Sequence, residues 1–133
     1  MHIKSTYQGE LRTEATHIAS GLKIITDAPV DNHGKGEAFS PTDLVAGALA
    51  SCLMTIMGIE ANKMSISLDG LSTDTQKLMS PPPRRIAKLR ISVQWPNPTA
   101  SAEQIELLKQ KALTCPVALS LHPDITQEIT FNF

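Results

Sequence analysis

Cys52 and Cys115 are the two cysteines of the chain, and their thiols are the side chains best suited to chemistry. Taken alone, each is typical of a free cysteine that serves as a small buried hydrophobe. Taken together, they could form a disulfide, provided that the segments carrying them pack closely enough for the narrow distance range of that bond. The sequence leaves both interpretations open at this point.

The overall composition limits the partners and the compartment of the chain. Basic and acidic residues number 12 and 13, and no basic stripe marks a surface for nucleic acid or an anionic membrane. The polar N-terminus lacks the apolar core of a signal peptide, and we expect no apolar run long enough to span a bilayer. We therefore predict a cytoplasmic protein, in which a disulfide would be transient and chemical rather than structural.

Cys52 lies near the middle of a stretch that predicts one long helix over residues 40–63. Ser40 can accept a hydrogen bond from a first-turn N–H, Pro41 has a helical φ, and Asp43 places negative charge at the positive end of the helix. Apolar residues at three- and four-residue intervals place Cys52 on one face with Val45, Ala48, Leu49, Ile56 and Ile59. The apolar arc is wide, which predicts a helix inside the molecule or against a second subunit.

The remaining patterns indicate strands around two helices. A second helix begins at Ser101, includes Cys115 on its apolar face and is broken there by Pro116. A strand with Ala87, Leu89, Ile91, Val93 and Trp95 on its buried side alternates cleanly with polar residues. Other strands are predicted over 3–7, 11–17, 22–26, 64–68 (resuming past residue 70) and 125–133, with an irregular loop over 28–39. We therefore predict an α+β fold in one domain, 1–133.

Neither a metal site nor a cofactor site is predicted. The histidines are scattered, and the spacing of Cys115 and His122 does not correspond to a known zinc motif. The run HGKGE in the loop has two glycines but lacks the length and the Lys-Ser/Thr ending of a phosphate-binding loop.

Two motifs resemble those of a known family. The run FSPTDLVAGALASCL around Cys52 resembles the first cysteine motif of the OsmC/Ohr family of cysteine-dependent peroxide reductases, and LTCPVALSL around Cys115 resembles the second. The separation of the two cysteines and the order of strands and helices also agree. The resemblance implies antiparallel sheets with two central helices, in an intertwined homodimer whose sites lie at the subunit interface.

The resemblance also implies a reaction. Cys52 would attack a hydroperoxide as a thiolate and become a sulfenic acid, and Cys115 would resolve it as an intramolecular disulfide. A dithiol reductant, lipoyl-type in well-known members, would restore both thiols. Arg12 roughly matches the arginine that activates the first cysteine, although a solvated arginine of a surface strand is the alternative.

One position departs from the family pattern. Thr42 stands where the family has the glutamate that holds the arginine, and Asp43 follows one residue later. Asp43 could be a helix N-terminal charge instead, and Glu37 in the preceding loop is another possible partner of Arg12. The departure favours a second hypothesis, a non-catalytic or ligand-binding homodimer of the same fold with a small apolar molecule in its pocket.

Overall fold

Groups of strands alternate with helices along the chain. The computed structural model describes residues 2–133. The architecture confirms the predicted α+β class. The elements are, in order, β1 Ile3–Gly9, β2 Arg12–His17, β3 Lys23–Asp27, α1 Pro41–Lys63, β4 Ser72–Met79, β5 Ile86–Gln94, α2 Ala102–Leu113, α3 Pro116–Ser120 and β6 Thr126–Asn132. They divide into two units, Met1–Val45 and Ala46–Phe133.

The first unit is built on an antiparallel sheet with the strand order β1-β2-β3. The turn between β1 and β2 carries three successive residues with positive φ, Gly9, Glu10 and Leu11, which lets the chain reverse within a few residues. Many of its large apolar side chains are exposed, including Ile3, Tyr7, Leu22 and Ile24. Such a sheet has an apolar surface that the chain itself leaves in water.

The segment between β3 and α1 is irregular, as predicted, apart from a single 3-10 turn at Val30–Asn32. It folds back on itself, because the Gly34 N–H donates to the Pro29 carbonyl and the Gly36 N–H donates to the Ala28 carbonyl. A Cβ atom at Gly34 would lie 1.7 Å from the Ala28 carbonyl oxygen. Only glycine therefore fits at that position.

A reciprocal pair of hydrogen bonds fixes the start of α1 where the sequence predicts it. The Asp43 N–H donates to Ser40 Oγ at 3.0 Å, and the Ser40 N–H donates to Asp43 Oδ2 at 2.9 Å. This is a capping box, which satisfies donors that have no partner inside the helix. Pro41 is the first helical residue, where its missing N–H costs nothing.

The buried side of α1 differs from the predicted one. Its buried residues are Ala46, Leu49, Ala50, Leu53, Met57 and Ala61. Cys52 lies beside this row and is half-buried, and Ala48 and Ile59 of the predicted face are exposed. The spacing of three and four residues mispredicted the buried face because apolar side chains cover most of the circumference of α1, so the spacing alone does not select one face.

The strand predicted over residues 64–68 is absent. The Ile66 N–H donates to the Ala61 carbonyl and the Ser65 N–H to the Asn62 carbonyl, while Ser65 has φ of 54°. These bonds form a Schellman motif, a common way to end a helix, and they occupy donors that a strand would need. Alternation of apolar and polar residues was therefore misleading, and β4 begins only at Ser72.

The second unit contains a sheet with the strand order β4-β5-β6. β4 and β5 are antiparallel, as predicted, whereas β5 and β6 run parallel. Leu89, Ile91, Val93 and Trp95 are buried, which confirms that side of the predicted strand. Ala87 does not belong to this buried row. At an irregularity in the pairing of β4 with β5, Ala87 is an extra residue of β5, and Ile86 takes the buried position instead.

By length and composition, α1 could cross a membrane, and no other helix in residues 2–133 could. This corrects our expectation that no apolar run is long enough. One such helix is weak evidence for a membrane span, because the core helix of a soluble protein meets the same criterion.

Candidate active site

Cys115 lies in a bend between two helices rather than on the helix that the sequence predicts. α2 ends at Leu113, and Cys115 has an extended backbone with φ of −65° and ψ of 154° at the start of α3. Pro116 causes this arrangement, since proline disfavours a helical conformation in the residue before it and suits the first position of a new helix. The side chain of Cys115 is buried, with 1% of the residue exposed.

The fold of the second unit brings the two cysteines together. The side chain of Cys52 lies close enough to that of Cys115 to affect its ionisation, and neither residue is in a disulfide. Burial is the main cause that raises the pKa of Cys115, and the neighbouring Cys52 raises it further. The backbone N–H groups of Val117 and Ala118 lower the pKa but do not offset burial. Cys115 is therefore held as a neutral thiol.

The two thiols are unequal in a way that suits sequential chemistry. Cys52 is half-buried on a long helix, so part of the residue is open to solvent. Cys115 is fully covered, and a buried thiol with a raised pKa is a poor nucleophile toward reagents from solution. Such a pair can form a disulfide after Cys52 has reacted, because Cys115 then lies beside the modified sulfur.

Arg12 of the first unit is held by two carboxylates. Its Nε donates to Asp27 Oδ1 at 2.7 Å and its Nη2 donates to Asp27 Oδ2 at 2.8 Å. Nη2 also donates to Glu37 Oε2 at 3.1 Å. The structure thus places Glu37, one of the two predicted carboxylates, beside Arg12. Its role in a reaction, like that of Arg12 toward Cys52, stays a prediction.

Sequence reasoning missed Asp27, which makes the larger number of contacts with Arg12. Hydrogen bonds from Arg12 are the main cause that lowers the pKa of Asp27, and those to Asp27 raise the pKa of Arg12 further above its usual range. In the register of the sheet the two residues are direct cross-strand partners. The predicted strand ended at Thr26, so nothing in the sequence pattern indicated this pairing.

Asp43, the other predicted carboxylate, takes part in the capping box of α1. This placement agrees with the alternative that Asp43 serves as an N-terminal charge of the helix. Asp43 and Glu37 both line an open groove of about 590 Å³ in the first unit, whose apolar lining includes Ile24, Ile25, Ala38 and Phe39. The groove is large enough for a small apolar molecule.

Within residues 2–133 no group of three or more histidine, cysteine, aspartate or glutamate side chains is placed to hold a metal ion. The cysteine pair has only two sulfur ligands, fewer than a structural zinc site requires.

The profile of one protein family, described as OsmC-like protein, matches residues 34–130. The match includes both cysteines, Glu37 and Asp43, whereas Arg12 and Asp27 lie before it. No curated protein is detectably similar to the chain in sequence.

Solved structures extend this similarity to nearly the whole chain. A protein of Psychrobacter arcticus 273-4, described as a candidate osmotic stress induced and detoxification response protein, is 48% identical, with a TM-score of 0.94 over 99% of this chain and 96% of that one. The organic hydroperoxide resistance protein OsmC of Legionella pneumophila has 19% identity and a TM-score of 0.75, over 98% and 95% of the two chains.

A third structure, an OsmC-like protein of unknown function from Vibrio cholerae, has 16% identity and a TM-score of 0.77, over 96% of each chain. At such low identities the likeness to the Legionella and Vibrio proteins concerns the fold alone.

Proposed function

The chain belongs to the OsmC-like family, and we propose that it reduces organic hydroperoxides with the thiols of Cys52 and Cys115. The observation that carries the proposal is the proximity of a half-buried cysteine and a buried neutral thiol in the second unit. Names of related proteins support the same class of reaction: the Psychrobacter protein is linked to osmotic stress and detoxification, and the Legionella protein to organic hydroperoxide resistance.

The proposed reaction has three steps. The Cys52 thiolate attacks the distal oxygen of the hydroperoxide, the O–O bond breaks, and the alkoxide takes up a proton to leave as an alcohol. The Cys115 thiol then attacks the Cys52 sulfenic acid, forming the S–S bond and releasing water. An external dithiol reduces this bond by thiol–disulfide exchange and is itself oxidised to a disulfide.

The pairing of thiols is needed because a sulfenic acid left alone can be oxidised further to a state that dithiols do not reverse. Cys115 is suited to react only at the step that resolves the sulfenic acid. As a neutral buried thiol it does not compete with Cys52 for the peroxide, yet it lies within reach of the sulfur that must be resolved. The proposal assigns Arg12 as the cation that favours the Cys52 thiolate.

Several features beyond the reaction are part of the proposal. We propose that the reductant is a dithiol of the lipoyl type that serves well-known members of the family, and that the protein is cytoplasmic. We also propose that residues 1–133 act as one domain in a homodimer. The exposed apolar side chains of the first unit, such as Ile3, Tyr7 and Leu22, support a homodimer because isolated soluble proteins rarely leave such a surface uncovered.

Mass spectrometry tests the reaction directly. The reduced protein is treated with one equivalent of cumene hydroperoxide without added reductant, and the intact mass and the peptides are measured. We expect rapid loss of two hydrogens and a cross-linked peptide that joins Cys52 to Cys115. Two surviving thiols after this treatment would exclude the proposed reaction.

A second candidate is a non-catalytic homodimer that binds a small apolar molecule. It is favoured by the open groove in the first unit, with its apolar lining, and by Thr42 at the position of the motif glutamate. Native mass spectrometry of the protein purified without peroxide treatment distinguishes the two. A retained apolar ligand, together with thiols that remain unmodified after peroxide treatment, would favour this second function.

A further inference from the structure

The two carboxylates that hold Arg12 make unequal contacts. Asp27 accepts hydrogen bonds on both of its oxygens, from Nε at 2.7 Å and from Nη2 at 2.8 Å. This is the forked arrangement in which a guanidinium binds a carboxylate most strongly and with a fixed orientation. Glu37 accepts a single, longer bond of 3.1 Å from the same Nη2. Asp27 therefore determines the orientation of Arg12, and Glu37 adds little to it.

The carboxylates of Asp27 and Glu37 also differ in how deeply they are buried. Asp27 is only 2% exposed, and Oδ2 accepts a second bond from the Glu37 backbone N–H at 3.1 Å. Its backbone is anchored as well, since Asp27 pairs with Arg12 across the sheet and its N–H donates to the Phe39 carbonyl. The side chain of Glu37 is 62% exposed. An exposed ion pair of this kind exchanges readily with water and contributes little stability.

The charges of this cluster do not balance. One guanidinium faces two carboxylates, so the field of the cation is more than neutralised while Glu37 is in contact. The nearby Lys35 also interacts electrostatically with Glu37 and Asp27, but it does not correct the imbalance, because the carboxylate of its own partner Glu10, at 2.6 Å, offsets its charge. Within residues 2–133 the Nη1 group of Arg12 makes no hydrogen bond to a side chain, so it remains available to an electron-rich atom.

We propose that Asp27 is the positioning residue of Arg12 and that Glu37 is a dispensable counter-ion that weakens the guanidinium field. The effect of each residue on turnover rests on the proposed function, whereas the orientation of Arg12 does not. Two simpler hypotheses predict different effects of removing the carboxylates. If only charge mattered, removing either carboxylate would increase the activating effect of Arg12. If both carboxylates were merely structural supports, removing either would decrease it.

The first test observes Arg12 directly and needs no enzymatic activity. Exchange of the Arg12 Nε proton with water is measured by ¹⁵N-edited NMR, with the signal assigned through Arg12→Lys. We expect Asp27→Asn to accelerate this exchange at least about tenfold, because Asp27 is the acceptor of that proton, and Glu37→Gln to change it less than about twofold. Equal acceleration by both variants, or none by Asp27→Asn, would overturn the assignment of Asp27.

The second test measures kcat/KM for cumene hydroperoxide with an excess of a small dithiol. We expect Asp27→Asn to lower kcat/KM about tenfold or more, and Glu37→Gln to raise it by about twofold or more. The double variant Arg12→Ala/Asp27→Asn should be no slower than Arg12→Ala, because Asp27 acts through Arg12. Asp27→Glu should recover part of the loss. Changes of the same sign in the two single variants would contradict the proposal.

A matched control lies on the same pair of strands. Glu14 of β2 accepts a hydrogen bond from Lys23 of β3 at 2.9 Å and is not one of the hydrogen-bond partners of Arg12, so Glu14→Gln removes one carboxylate of the same sheet. We expect neither Arg12 exchange nor kcat/KM to change in this variant. A wild-type protein without peroxide activity that still shows the expected exchange pattern would reject the proposed function and leave the positioning role in place.

The unmodified protein provides a further check in case Asp27→Asn fails to fold. In an acid titration of wild type, protection of the Arg12 Nε proton should persist below the ordinary aspartate pKa of about 3.9, because Arg12 lowers the pKa of Asp27. Loss of protection above that pH would contradict the assignment.

Discussion

The side chain of Cys115, in the bend between α2 and α3, lies close enough to Cys52, in the middle of α1, for Cys52 to raise the pKa of Cys115. The two residues are far apart in the sequence, and only the packing of the second unit makes them neighbours. Because Cys52 is half-buried and Cys115 is fully buried, the two thiols have different roles in the proposed reaction.

Replacing each cysteine in turn should stop the reaction at a different step. In Cys115→Ser, we expect one equivalent of peroxide to leave Cys52 as a sulfenic acid that dimedone traps, since no thiol is present to resolve it. In Cys52→Ser, we expect Cys115 to remain unmodified because it is buried. Peptide mass spectrometry distinguishes these products. Ser51→Ala is the matched control, as it changes the exposed residue beside Cys52 and should retain the cross-link.

The raised pKa of Cys115 predicts how stability depends on pH. Above the ordinary thiol pKa of about 8.5, the unfolded chain releases the Cys115 proton while the folded protein keeps it. The folded state then binds more protons, so the free energy of unfolding falls as pH rises above the ordinary thiol pKa. Urea unfolding under reducing conditions should show a steeper decline for wild type than for Cys115→Ser. Parallel pH profiles of the two proteins would contradict this prediction.

Asp43 should matter for stability and not for turnover. Its carboxylate accepts the Ser40 N–H in the capping box, so Asp43→Ala should lower the free energy of unfolding by about 1 kcal/mol. We expect kcat/KM for cumene hydroperoxide to stay within about twofold of wild type. Asp69→Ala removes an exposed carboxylate from a turn and serves as the control for charge. A large loss of turnover without loss of stability would make Asp43 a residue of the active site.

The loop before α1 should tolerate no side chain at Gly34. The added Cβ of Gly34→Ala would overlap the Ala28 carbonyl, so we expect a cost of about 2 kcal/mol or more in the free energy of unfolding. Gly58→Ala is the matched control, because Gly58 lies within α1 with open space around its Cα, and alanine there should stabilise the helix by up to about 1 kcal/mol. Urea unfolding measures both changes. Equal stability of the two variants would show that the loop can rearrange.

The sequence alone determined the features that depend on local chemistry. Ser40, Pro41 and Asp43 predicted the start of α1 because capping involves residues within one turn, and alternation identified the buried side of β5 because neighbouring side chains of a strand point to opposite faces. The motifs around Cys52 and Cys115 were sufficient to predict the family. In each case the responsible residues lie close together in the chain.

The tertiary structure decided the features that depend on distant residues. Only packing selected Leu53 rather than Cys52 for the buried side of α1, because an almost uniformly apolar helix has no preferred face by itself. Only strand register placed Asp27 opposite Arg12, since that pairing joins the end of one strand to the start of another. The proximity of Cys52 and Cys115 is of the same kind: the sequence supplies the two thiols, and the fold brings them near each other.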